Sequence, residues 1–552
     1  MNDNSFLAHF ERSFKEHWDR PALSDYKGTT LQYKDVARRI AKMHIIFEEC
    51  RLRKGDKIAL CGRNQSNWGV VFLASLAYGA VVVPILHEFK PDNVHHIINH
   101  SDARLLFVGD LMWENLNERA MPGLDAIISL ADFSVLYCRD EAVRSARERL
   151  NERFGRKYPK NFRAEHIAYH HDKPDELAVI NYTSGTMGLS KGVMLPYRSL
   201  LSNLLFAQEV LPADYRESLV SMLPLAHMYG LMFEFLYEIS VGMHVHFLTR
   251  MPSPKIIMEA FAQIRPTLIV SVPLIIEKIY KKQLLPLLEK TSVKMLLKLP
   301  IIDQSVKKKF HTAMSNVFGG RFYEVVVGGA AFNREAETFF KKIGFRYTVG
   351  YGMTECGPII TYEDYSRTPL FSCGRAAPRM EVRIDSPAPA TVAGEILVRG
   401  ENLFLGYYRN EEATREAMTD DGWMRTGDVG VMDSNGYLYI RGRCKNMLLG
   451  PSGQNIYPEE IEDCINNKPY VVESLVLEQE GKLVALIFPD YAAAETDGIR
   501  DQDLQRLMED IRVRVNEELP AYSQLARVKI RPEEFEKTPK KSIKRFLYQL
   551  PK

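Results

Sequence analysis

The stretch LAVINYTSGTMGLSKGVM (177–194) places a short apolar run directly before a loop rich in glycine and hydroxyl residues. The run has the length of a buried strand, and the loop follows it without a helical period. Within positions 183–192 lie three glycines, two threonines, two serines and one lysine. That mixture suits phosphate: glycines let backbone N–H groups close around oxygens, hydroxyls add donors, and the lysine supplies charge. The P-loop of kinases and ATPases is a different arrangement. Counted from Gly185 it requires glycine at 190 and Ser or Thr at 192, where this chain has Ser190 and Gly192.

Comparable runs recur through the first 440 residues: KIALCG (57–62), ARLLFVG (103–109), TLIVSVP (267–273) and YEVVVGG (323–329). Each is bounded by Gly, Pro or polar residues, with intervening segments long enough for crossover helices. The pattern predicts an α/β fold with largely parallel sheets. From Gly374 the texture changes to short strands with turn signals, predicting a β-rich subdomain over about 374–442. The loop LLGPSGQNIYP then precedes a helix start at EEIEDCI, two strands (SLVLEQ, LVALIFPD) and a helix from near Asp501. The expected division is a large domain over 1–442 and a small α+β domain over 443–552.

A chain of 552 residues with 46% hydrophobic and 26% charged content fits a folded multidomain protein. Its net charge of +2 (72 basic minus 70 acidic residues) gives no sign of a nucleic-acid partner. Seven scattered cysteines without C-x-x-C spacing indicate neither disulfide framework nor zinc site, so a reducing, cytoplasmic setting is expected. The N-terminal segment has no apolar stretch of the secretory kind. GVVFLASLAYGAVVVPIL (69–86) is eighteen residues without a charge, the threshold for a membrane span. Gly79 and Pro84 interrupt it, and it reads as a buried helix running into a buried parallel strand.

Two further segments carry chemistry. GYGMTECGP (350–358) offers an aromatic, a hydroxyl and a carboxylate within five residues: a stacking face, a phosphate donor and a magnesium ligand. WMRTGDVG (423–430) presents Asp428 in what reads as a glycine turn, where a carboxylate can accept two hydrogen bonds from a ribose diol.

With these segments together, the chain resembles the adenylate-forming superfamily of acyl-CoA synthetases, luciferases and peptide-synthetase adenylation domains. In style it is most similar to bacterial long-chain fatty-acid–CoA ligases. The loop departs from the common form at Met187 and Ser190 only. The resemblance implies that Thr183, Ser184, Gly185, Thr186 and Lys191 hold phosphates of ATP. It also implies that Tyr351 stacks on adenine, Thr354 contacts the α-phosphate and Glu355 holds Mg²⁺. Gly329 and Ala330 would lie beside adenine and acyl group. Asp428, Ile440 and Arg443 would line the nucleotide, and Lys445 would be the hinge of a swinging C-terminal domain. PLAHMYGLMFEFLYE (224–238) resembles the segment lining the acyl pocket, with His227 near the carboxylate. Its Met, Phe, Leu and Tyr content suits an apolar acid, while Glu234 and Glu238 leave an amino-acid substrate open.

The implied reaction joins a medium- or long-chain fatty acid and ATP to give acyl-AMP and pyrophosphate, then passes the acyl group to CoA. Alternatives are an acyl carrier protein as acceptor, another carboxylic acid as substrate, or a non-catalytic binder. The last follows from a departure at the C-terminus. The family pattern K-T-x-x-G-K becomes KTPKKSIKR (537–545), putting Ser542 where the catalytic lysine is expected. Lys541 is the nearest substitute, followed by Lys540 and Lys544. The run from Glu277 to Phe310, with nine lysines among apolar residues, suggests peripheral membrane contact.

Overall fold

A computed structural model describes residues 5–183, 190–211, 214–250, 252–283, 304–450, 454–538 and 542–549. Its largest sheet has eight strands. The inner five, Leu177–Thr183, Val81–Ile85, Lys57–Cys61, Ala103–Val108 and Ala126–Ser129, run parallel. Their residues are almost entirely buried, as a sheet covered on both faces requires. Residues 69–86 divide as the sequence predicts. The helix Ser66–Tyr78 is buried nearly all round, and the strand Val81–Ile85 lies inside the sheet. No described helix is long and apolar enough to cross a membrane.

The sheet's edges are antiparallel. Lys191–Pro196 folds back on Leu177–Thr183, and Gly406–Tyr407 adds outside it. That last strand comes from within the segment expected to be the β-rich subdomain. The rest of that segment forms a four-stranded antiparallel sheet of Met380–Asp385, Gly394–Gly400, Met424–Met432 and Leu438–Arg443. A parallel three-stranded sheet, Leu268–Ser271, Glu324–Val327 and Tyr347–Val349, carries the glycine pair at 328–329 on its middle strand's end.

The C-terminal part has its own apolar cores. The sheet Val471–Gln479, Lys482–Pro489 and Arg527–Ile530 packs against helices Pro458–Asn466 and Asp501–Glu518 through Ile461, Ile465, Leu504, Met508, Ile511 and Val515. Polar contacts connect it to the larger part: Arg441 to Glu460 at 3.0 Å and Arg334 to Asp463 at 3.4 Å. Most of the basic run noted above, residues 284–303, lies outside the described residues.

Glu238 is fully buried beside Tyr33 and Tyr237, and neither carboxylate oxygen has a hydrogen-bond partner from another described residue. Burial pushes its carboxyl up to about 8. The folded protein therefore keeps a proton that the unfolded chain loses above the ordinary range near 4.5. The resulting stabilisation is complete below that value and is lost as pH rises through about 8, at up to about 1.4 kcal/mol per pH unit. Glu238→Gln should raise the thermal unfolding midpoint at pH 8.5 by roughly 2 °C or more, with a smaller gain at pH 5. Parallel pH profiles for the two proteins would contradict this account.

Candidate active site

The strands that flank the glycine-rich segment, Leu177–Thr183 and Lys191–Pro196, pair antiparallel. Thr183 pairs with Lys191 and Tyr182 with Gly192 across the two strands. Lys191 thus starts a strand rather than sitting inside a loop, and its backbone position is set by the sheet. Gly192 is required here, because a Cβ would stand 2.9 Å from Ile180 Cγ2 and 3.1 Å from the Tyr182 ring. Ser184, Gly185 and Thr186 lie outside the described residues.

Glu355 sits in the short turn Thr354–Cys356. Asn203, on the helix Tyr197–Val210, clamps this turn by donating to Cys356 O (3.0 Å) and accepting from Ile359 N (2.9 Å). Glu355 is 8% exposed. Its Oε1 accepts from the Tyr407 hydroxyl at 2.8 Å, and its backbone carbonyl accepts from Phe404 N at 2.9 Å. The Tyr407 ring also lies 4.9 Å from the Lys191 ammonium. Glu355 and Lys191, far apart in sequence, are therefore joined through one tyrosine.

Asp428 is not in a turn. It lies within the strand Met424–Met432, where Thr426–Asp428 form a bulge between the pairs Arg425–Leu397 and Val429–Glu395. Gly427 takes φ +71°, and the Thr426 hydroxyl donates to Ile396 O while accepting from Asp428 N. These three residues stand opposite Ile396 alone, and an irregularity of this kind re-aims a side chain. Asp428 Oδ2 accepts from the Tyr351 hydroxyl at 2.6 Å, and Oδ1 lies 2.9 Å from Arg443 Nε. Arg443 is its cross-strand partner on Leu438–Arg443. Burial pushes the Asp428 carboxyl up, and the Arg443 guanidinium pulls it back down. Arg443 itself is exposed, as is Lys445 in the following turn Cys444–Asn446. Ile440 lies three residues before Arg443 and pairs with Gly430.

Tyr351 joins the glycine pair because Gly350 N donates to Val327 O at 2.9 Å. Gly329 and Ala330 are exposed at that strand end. Tyr229 reaches the same place, donating to Ser271 O and Val326 O. His227 caps the helix Met228–Leu231 two residues earlier and is half-buried.

The loop carrying His227 is held by a polar network that the sequence did not signal. Glu234 Oε2 accepts from Ser221 Oγ, Met222 N and Leu223 N, and Asn64 bonds Leu223 O and Leu225 N. Asn181 donates to Ala226 O at 2.8 Å. Glu234 is thus bound to backbone inside the protein, and Glu238 is buried against tyrosines. Neither is placed as a counter-charge for a substrate ammonium.

At the C-terminus Thr538 N donates to Ser542 O at 2.8 Å, and residues 539–541, including Lys540 and Lys541, lie outside the described set. Lys544 is paired with Glu536 at 3.3 Å. A surface cleft of about 590 Å³ between Phe206, Tyr362, Arg375 and Met432 contains none of the predicted site residues.

The donor set fits a magnesium nucleotide: a buried carboxylate with Oε2 left without a hydrogen bond among the described residues, a second carboxylate, an arginine and a lysine. Comparisons with known proteins agree with this chemistry. A family model described as AMP-binding enzyme matches residues 10–408, and one for the AMP-binding enzyme C-terminal domain matches 446–548. The long-chain-fatty-acid–CoA ligase FadD15 of Mycobacterium bovis is 28% identical over 86% of this chain and 80% of its own. The peroxisomal long chain acyl-CoA synthetase 6 of Arabidopsis thaliana is 28% identical over 89% of this chain and 73% of its own. Among solved structures, the fold matches the anthranilate CoA ligase AuaEII (TM-score 0.77, 20% identity, 99% and 96% of the two chains). It also matches ATP-bound MatB from Rhodopseudomonas palustris (TM-score 0.75, 23% identity, 99% and 98%). The chain belongs to the AMP-binding enzyme family.

Proposed function

We propose that this protein activates a medium- or long-chain fatty acid with ATP, releasing pyrophosphate, and transfers the acyl group to CoA. The observation that carries the reading is a pair of contact groups that share the segment 351–355: Glu355 and Lys191 joined through Tyr407, and Tyr351, Asp428 and Arg443 joined directly. Two acids and two cations from four separate segments match a magnesium nucleotide and little else. The fatty-acid substrate class is supported by the relatives' names and by the apolar segment around His227.

In this reading Thr183, Ser184, Gly185, Thr186 and Lys191 hold the phosphates, Thr354 contacts the α-phosphate and Glu355 holds Mg²⁺, which neutralises charge developing during phosphoryl displacement. Tyr351, Gly329, Ala330 and Ile440 line the adenosine, Asp428 takes the ribose, and His227 stands near the acid's carboxylate. Arg443 would leave Asp428 when the ribose arrives and turn to phosphate. The domain boundary falls at 442–446, a placing supported by the apolar cores, which part between Ile440 and Leu448. Lys445 is the hinge on which the smaller domain presents Lys541 in the first step.

A panel of acids of graded chain length, assayed for pyrophosphate release with ATP and Mg²⁺, tests the reading. Release should peak with a medium or long chain, and thioester should form with CoA. Release with thioester only on an acyl carrier protein would reassign the acceptor, and no release with any acid would sink the proposal. Glu355→Gln should slow release by on the order of 100-fold, the scale for losing one charge-stabilising group. Wild-type turnover would remove the metal role. Lys541→Ala should slow adenylation and spare thioester formation from supplied acyl-AMP; an unaffected first step would pass the role to another lysine.

A further inference from the structure

We infer that Tyr407 is a positioning residue that keeps the carboxylate of Glu355 and the ammonium of Lys191 apart and separately available to the magnesium and phosphate of the nucleotide. The inference rests on the function proposed above, and concerns a residue to which neither sequence pattern nor resemblance assigned a role.

The geometry is specific. Tyr407 lies on the two-residue strand Gly406–Tyr407, whose partner Val193 stands two residues after Lys191. The strand is anchored on both sides: Leu405 N donates to Met194 O, Tyr408 N to Gly192 O, and Tyr407 N to the Thr414 hydroxyl. Phe404, packed edge-on at 5.0 Å, limits rotation of the Tyr407 ring, and its N–H holds the Glu355 backbone. From that fixed position the hydroxyl donates to Glu355 Oε1 while the ring face takes Lys191.

A carboxylate and an ammonium in one partly buried site attract strongly. Left alone, Lys191 and Glu355 would pair, and each would then have to be pulled off the other before meeting its own ligand. They do not pair here. The tyrosine offers each an uncharged partner, a hydroxyl donor for the acid and an aromatic face for the cation. Both partners are weak enough to yield to phosphate or metal. Hydrogen bonds that orient a metal-binding carboxylate are typically worth 10–100-fold in metal affinity or activity.

Calorimetric titration of the full-length protein with ATP, in EDTA and across a range of Mg²⁺ concentrations, tests this. Tyr407→Phe keeps the ring and removes the hydroxyl. It should raise the Mg²⁺ concentration needed for tight ATP binding about tenfold while leaving metal-free ATP affinity within about twofold. Tyr407→Leu, which removes the ring as well, should also weaken metal-free binding, because Lys191 is then free to collapse onto Glu355. In a Glu355→Gln background, Tyr407→Phe should change nothing. An unchanged Mg²⁺ requirement in Tyr407→Phe, or an equal loss with and without metal, overturns the inference. A Tyr407→Phe effect that persists in the Glu355→Gln background overturns it too. If the wild-type protein binds no ATP at any Mg²⁺ concentration, the proposed function fails and this inference falls with it.

Discussion

The pairing of Gly406–Tyr407 with Val193–Met194 ties the hairpin strand that begins at Lys191 to a segment that follows it by many elements in the chain. The hairpin sits where the large sheet changes from parallel to antiparallel, so its outer strand would otherwise be an edge with unpaired N–H and C=O groups. Closing that edge with a strand from the β-rich segment brings Phe404 and Tyr407 onto Glu355. The strand that begins at Lys191 and the turn that carries Glu355 are thereby parts of one hydrogen-bonded framework. A shift of either by an ångström would move both.

The two carboxylates are handled alike. Glu355 and Asp428 are each less than a tenth exposed, each accepts from one tyrosine hydroxyl, and each stands near one cation. Burial makes a charged carboxylate costly; the neutral donor offsets part of that cost and the nearby cation offsets more. At Asp428 the cation is in direct contact, and at Glu355 an aromatic ring intervenes. Asp428 is positioned by a strand bulge and Glu355 by a turn clamped by Asn203. Different local devices reach the same end, a buried carboxylate fixed in place by one tyrosine hydroxyl.

Local residue patterns carried a large part of this. The runs at 57, 103, 177, 267 and 323 became strands because β-branched and apolar residues at that length suit a sheet covered on both faces. Tyr351, Thr354 and Glu355 could be singled out as candidates because one short segment supplies all three, and Lys191 because the glycines around it are informative by themselves. Asp428 was read in a turn, whereas it lies buried in a strand that bulges at Gly427; a glycine beside an aspartate signals either.

What the sequence by itself determined was the chemistry of the pieces and the class of fold, since both follow from neighbours within about ten residues. What only the tertiary structure decided was which pieces meet. Tyr407 in GYYRN has no local mark of function, and Asn203, Asn64 and Glu234 read as ordinary helix or loop residues. Their roles come from hydrogen bonds to groups distant in the chain, and a sheet edge or a buried carboxylate chooses such partners only once the strands around it are in register.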